Sequence, residues 1–299
     1  MPEGRRDIVG GLLTAVAALL FGAIVTIGRS PAVRDIPVSS LLALRFGTAA
    51  AVLAALLLVR RQPLRPAAGE GRRLVLLGAV GYAVESAFFF LALGRGTAAT
   101  VTLLFYTYPV WVALLAAALG FGLPGALVGG ALVAAVAGAG IVVASSGGLD
   151  ITLLGIVYSL ASAVTISIFL LGLERWVHRT SSLASSMWIA LSAALAHGVY
   201  GVVSGTGRLL LPEEVVPVLS MGVLTSGAFL LLFLGVRRLG AVRTSIISSL
   251  EPVAAAALAL IFLEEALRPG VLAGGVLILG GAIAATLARG VREPVDALP

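Results

Sequence analysis

The chain has 299 residues, 60% of them hydrophobic and 11% charged, with a formal net charge of +6 and no cysteine. A soluble domain carries about 45–50% apolar and about 25% charged residues, so a water-soluble core is excluded. The missing cysteines exclude disulfides, thiol catalysis and Cys-ligated metals. All 20 basic residues are Arg and nearly all fall between apolar runs, where they orient a membrane chain and do not form a nucleic-acid surface.

A membrane-crossing helix needs about 20 mostly apolar residues. Read by that rule, the sequence predicts ten spans, over 8–28, 37–59, 73–93, 97–119, 125–145, 151–173, 182–204, 214–236, 241–263 and 270–288. Short connections leave no inserted soluble domain, so 1–299 reads as a single membrane domain. The first run, Ile8 to Ile27, is long enough to span and no A-x-A-like site follows it, so no cleavable signal is expected. With the N-terminus placed in the cytoplasm, 14 arginines fall on the inside and 5 on the outside, and Arg45 lies within a span. That bias predicts an inner-membrane, multi-pass protein with both termini cytoplasmic.

The ninth span holds the costliest residues. Ser249-Leu250-Glu251-Pro252-Val253 puts a carboxylate and a proline in mid-membrane. A charge there costs roughly 2.5–3.5 kcal/mol on the insertion scale, and the proline removes a backbone N–H and crowds the carbonyl four residues earlier. Such a segment is tolerated only against protein or a water-filled cavity. A weaker copy, Tyr106-Thr107-Tyr108-Pro109-Val110, lies in the fourth span, and 252 − 109 = 143 residues separate the prolines. Ile8 and Ile151, where spans one and six begin, are also 143 apart. Gly125/Gly129 and Gly270/Gly274 form G-x-x-x-G pairs at the starts of spans five and ten. They are expected to let helices approach closely. The chain therefore reads as two five-span repeats, 8–146 and 151–290. Five is odd, so the second repeat enters from the opposite side. Inverted repeats with broken helices point to a secondary transporter with its site near the midplane.

The run Ser248-Ser249-Leu250-Glu251-Pro252-Val253, then Leu263-Glu264-Glu265-Ala266-Leu267, then Gly274-Gly275-Val276-Leu277-Ile278-Leu279-Gly280-Gly281 resembles the drug/metabolite transporter superfamily, EamA type. Tyr108-Pro109-Val110 and Arg45 fit it too, whereas Phe121-Gly122-Leu123 lacks the family's Glu. The resemblance implies an all-α membrane protein of ten helices in two inverted bundles that exports small metabolites. Within the family the chain looks most like the aromatic and neutral amino-acid exporters.

Few residues could carry selectivity. Glu251 is a candidate to bind a substrate amine or a proton; a structural ion pair is the alternative. Tyr82 and Glu85 are i, i+3 and share a helical face; they are expected to line a pocket. Tyr108 and Trp111 share a face around Pro109 and suit the wall of a cavity for an amphipathic ligand. Arg45 needs a carboxylate or several carbonyls, and Glu85 or Glu251 is its expected partner in a structural pair. Pro109 and Pro252 are expected flexing points. His197 reads as a satisfied packing residue. Two histidines support no metal site, and no cofactor is implied.

The expected function is non-ATP export of small amphipathic metabolites, amino acids foremost, by alternating access through a central cavity. The expected partners are that small molecule and the lipid bilayer, with no nucleic acid. Proton coupling stays open through Glu85 and Glu251, and no residue pattern fixes an oligomeric state. An intramembrane enzyme acting on lipid or isoprenoid would need clustered Asp or His, which the sequence lacks. A channel-like pore is the remaining alternative.

Overall fold

A computed structural model of the chain describes residues 3–28, 31–96, 98–146, 151–262 and 269–288. The Glu264-Glu265 turn lies outside the described residues. Among them the regular elements are helical, apart from one β-bridge between Gly96 and Ile151. In chain order the helices are α1 (Glu3–Gly28), α2 (Pro31–Arg34), α3 (Val38–Val59), α4 (Gly71–Leu76), α5 (Ala83–Leu93), α6 (Ala98–Phe105), α7 (Tyr108–Ala118), α8 (Ala126–Ser146), α9 (Leu153–Trp176), α10 (Ser182–Val203), α11 (Pro212–Leu239), α12 (Ala241–Ser248), α13 (Glu251–Phe262) and α14 (Pro269–Leu287). A π-helical turn, Leu77–Tyr82, joins α4 to α5.

These segments make ten crossings. Seven runs are long and apolar enough to span by length and composition. α8 and α14 add two, and α12 with α13 forms the tenth, interrupted span. The outward face is apolar: Leu12, Val133 and Val276 are 62, 69 and 69% exposed. No described residue covers these side chains, and such a face is stable only in hydrocarbon.

The packing pattern carries the repeat. Spans one and eight (α1 with α11) pack together, and so do their repeat mates, spans six and three (α9 with α5). Span one also meets span nine (α1 with α12 and α13), mirrored by span six against span four (α9 with α6 and α7). Span two packs on seven and span five on ten, each a helix against its own repeat mate. A pseudo-twofold relation between two five-helix halves gives these pairings, and an odd number of crossings per half inverts one against the other.

Both interrupted spans break where proline dictates. α6 ends at Phe105 and α7 starts at Tyr108; α12 ends at Ser248 and α13 starts at Glu251. The breaks are 248 − 105 = 143 and 251 − 108 = 143 residues apart. Pro109 and Pro252 each sit in the first turn of the second half-helix, where a missing N–H is tolerated. Ahead of the second break the ladder tightens: Ser249 N–H bonds Ile246 O at 3.2 Å and Leu250 N–H bonds Ile247 O at 3.1 Å. The Ser245 carbonyl is thereby left without its i+4 backbone donor.

The G-x-x-x-G expectation needs correcting in the first half. A Cβ added at Gly125 or Gly129 would meet nothing within 4 Å. The close approach of α8 to α14 lies farther along, where a Cβ at Gly138 would stand 2.6 Å from Gly274 O and one at Gly281 2.8 Å from Ala131 O. At the other end a Cβ at Gly270 would collide with Ser145. Gly125 and Gly129 fall before the two helices converge.

Candidate functional site

Seven polar or titratable residues fall near the middle of their spans: Arg45 on α3, Tyr82 at the end of the π turn, Glu85 on α5, Tyr108 on α7, Ser162 on α9, Thr225 on α11 and Glu251 at the start of α13. Together they form one polar layer across both repeats.

Two breaks, one from each repeat, meet in this layer. The Tyr108 hydroxyl donates to the freed Ser245 carbonyl at 3.2 Å, and Ser167 Oγ donates to Tyr108 O at 3.0 Å. Tyr106, in the first break, interacts with the Glu251 carboxylate that opens the second. Each interruption is thus satisfied in part by the other half, which is how irregular backbone survives at membrane depth. Trp111 Nε1–H donates to Thr107 Oγ1 at 3.3 Å, one turn back on the same side of the break.

Tyr82 and Glu85 are both buried, as one shared face requires, but their surroundings differ. Glu85 Oε1 accepts from Ser162 Oγ at 3.1 Å. Tyr82 sits inside an aromatic cluster, with ring centroids 4.8 Å from Phe229, 5.2 Å from Phe169 and 5.5 Å from Phe46, all near edge-on. Phe233 extends the cluster toward the arginine-rich end of the bundle. The π turn inserts a residue into the third span, which re-phases α5 against α4; such turns are frequent at functional sites.

The expected partner of Arg45 is corrected. Its Nε–H donates to Thr225 Oγ1 at 2.8 Å, and its guanidinium carbon lies 5.1 Å from the centre of the Phe46 ring. Among the described residues it makes no direct ion pair with Glu85 or Glu251, although both carboxylates and Tyr82 feel its charge. A hydroxyl that is itself anchored to Met221 O at 2.7 Å positions the guanidinium and leaves its positive charge available in the layer. His197 also departs from expectation: it is buried and stacked on Phe46 at 6.0 Å, but Nε2 has no hydrogen-bond partner among the described residues.

Sequence reading missed Thr225, Ser162, Ser167 and Tyr106. A signal for one of them was present. The repeat offset maps Tyr82 onto Thr225 (225 − 82 = 143) and Tyr108 onto Glu251 (251 − 108 = 143). Each position therefore marks a polar place in both halves.

At the arginine-rich end, polar contacts tie the halves together. Glu70, ahead of α4, accepts from the backbone N–H of His178 (2.9 Å), Arg179 (2.8 Å) and Thr180 (2.8 Å), and from the Thr180 hydroxyl (2.5 Å). Burial alone would push this carboxyl up, but those four donors hold it down at about 2. Arg243 bonds Asp7 at 3.2 Å and the carbonyls of Ala288 and Leu239 at 2.6 and 3.0 Å. Within the second half, Glu174 accepts from the Ala241 N–H at 2.7 Å.

The sequence pattern of the EamA-like transporter family matches this chain twice, over residues 9–144 and 153–287. No match is found among the curated proteins. Among solved structures, a protein crystal structure 22% identical in sequence superposes with a TM-score of 0.79, over 93% of this chain and 97% of the other; at that identity the likeness speaks for the fold. With two matches that together span most of its length, packed as two inverted halves around a polar layer, the chain belongs to the EamA-like transporter family.

Proposed function

We propose that this membrane transporter is a secondary exporter of small amphipathic metabolites, amino acids foremost, working by alternating access in the inner membrane with both termini cytoplasmic. The observation that carries the reading is the meeting of two helix breaks, 143 residues apart, in one mid-membrane layer. Half-helix ends at a repeat interface are where transporters of this kind hold polar substrate groups.

In this reading the substrate lies between the halves, 8–146 and 151–290. Glu251 and Glu85 offer carboxylates to a substrate ammonium or a proton, and Arg45 offers a positive charge to a carboxylate. Tyr108, Trp111 and Tyr82 supply aromatic walls. The Tyr108 hydroxyl is engaged by Ser245 O, so its ring, not its hydroxyl, faces the ligand. Phe169, Phe229 and Phe233 close the route toward the arginine-rich end and part when the site opens there. Pro109 and Pro252 mark the flexing points.

The test is purified protein in liposomes, loaded with labelled amino acids or nucleobases at two external pH values. Saturable transport of amino acids, changed by pH and abolished in Glu251→Gln, is the expected result. Undiminished, equally pH-dependent transport by Glu251→Gln would remove that carboxylate from the mechanism. Non-saturable flux would replace the exporter with a pore.

A further inference from the structure

A cleft of about 570 Å³ opens at the arginine-rich end between α1, α3, α10 and α11, away from the polar layer. Four arginines line it: Arg6 at the start of α1, Arg60 just past α3, and Arg237 and Arg238 in the last turn of α11. None of its lining residues is acidic. Arg237 donates to Thr180 O and Arg238 to Leu234 O at 3.3 Å; among the described residues Arg6 and Arg60 have no acidic partner. The first turn of α10 also faces the cleft. There Ser182 is buried, lines the wall, and its Oγ has no hydrogen-bond partner among the described residues. A 22-residue helix brings the positive end of its dipole to the same place.

The guanidiniums of Arg6 and Arg60, a helix N-terminus and an orphaned hydroxyl together ask for an anion with several acceptor oxygens, with Arg237 and Arg238 adding positive charge beside them. The other wall is apolar. Leu234 and Leu230 follow Arg238 at one-turn intervals along α11, so Leu230 lies about 12 Å deeper in the membrane. A free anion gains nothing from that wall, whereas an acyl chain does. We propose that this cleft binds the phosphate headgroup of an anionic phospholipid, with the glycerol and upper acyl chain lying along Leu230 and Leu234. The site is distinct from the transport layer and does not depend on what the protein carries.

The test uses the full-length protein, purified in detergent and titrated with phosphatidylglycerol, with retained lipid read by native mass spectrometry. Arg6→Gln with Arg60→Gln is compared with an equal charge loss on the same end but outside the cleft, Arg72→Gln with Arg179→Gln. Loss of two arginines that face an anionic headgroup is expected to lower affinity roughly 30-fold, and the control pair to leave it within about twofold of wild type. Ser182→Ala, which removes the orphaned hydroxyl and keeps the helix, is expected to weaken binding several-fold and gives the readout if the double variant does not fold. Equal weakening by both arginine pairs would overturn the proposal in favour of diffuse attraction. Equal binding of phosphatidylcholine would overturn it too, as would full competition by millimolar inorganic phosphate, which would make the cleft a free-phosphate site.

Discussion

Replacing Glu70 with Gln tests the tie between the two halves at the arginine-rich end. The wild-type carboxylate takes two donors on each oxygen: His178 and Arg179 N–H on Oε1, and Thr180 N–H and hydroxyl on Oε2. An amide keeps one oxygen, and its NH2 then faces two donors, so two charge-assisted bonds are lost. Such bonds are worth about 1.5–3 kcal/mol each, and two neutral ones survive. Their sum, about 3–6 kcal/mol, is an upper bound because the amide re-pairs in part, and the acid–base route gives a smaller figure. Holding the carboxyl at about 2 instead of 4.5 corresponds to about 3 kcal/mol before screening; water at this loop reduces that to about 1.5–2 kcal/mol. The expected loss is about 2 kcal/mol, a fall in melting temperature of roughly 4–8 °C. The sign is that of a depressed carboxyl. The stabilisation is complete above the unfolded value near 4.5 and is lost as pH falls toward about 2. Thermal unfolding of wild type and Glu70→Gln in detergent at pH 7, 5, 4 and 3 reads both effects. The gap should be full at pH 7 and shrink between pH 5 and 3. Equal melting temperatures at pH 7, or a gap unchanged down to pH 3, would refute the reasoning.

Other expectations follow from the packing. Gly138→Val should destabilise by about 2–4 kcal/mol, since its Cβ would stand 2.6 Å from a backbone oxygen of α14; Gly129→Ala should be neutral or slightly stabilising, with open space around it. Both are read by thermal unfolding in detergent. Tyr108→Phe should lose about 1 kcal/mol by leaving the buried Ser245 carbonyl only the long 3.5 Å bond from Ser249 Oγ, and the same measurement checks it. Arg243→Gln should cost about 2–4 kcal/mol, because it leaves Asp7 unpaired and frees the Ala288 carbonyl; Asp7→Asn in the same background should then cost little more, a double-mutant cycle that isolates the pair.

Much of this architecture is legible in the sequence because the membrane enforces simple rules. Ten apolar runs give ten crossings, and the structured segments start and stop within a few residues of them. Pro109 and Pro252 locate the two helix breaks, since a residue without an N–H cannot continue a ladder. The π turn at Leu77–Tyr82 was not legible: Leu-Gly-Ala-Val-Gly-Tyr reads as ordinary helix, and only the fit of Gly78 and its neighbours against α10 decides the winding. The partner of Arg45 was missed for a related reason. Counting charges favours a carboxylate, but Thr225 reaches the guanidinium because α11 crosses α3 at Gly222, where a Cβ would collide with Thr48. The G-x-x-x-G spacing marked α8 and α14 as helices open to close approach, but neither their pairing nor the point of contact. A motif states that two helices are able to approach, and the crossing angle decides where. The serines of α9 carried no signal in sequence, because mid-helix hydroxyls usually bond their own i−4 carbonyl, as Ser167 also does to Ala163 O at 2.7 Å.

The central claim is that the two breaks lie on a path alternately open to either side of the membrane. The chain has no cysteine, so a single one can be placed and read without background. Ser249→Cys, in the second break, should react with a membrane-impermeant thiol reagent applied from either face, and substrate should slow the reaction. Val276→Cys, on the lipid face, should react from neither. Labelling of Ser249→Cys from neither side, or from one side only in every condition, would contradict alternating access at the site where the repeats meet.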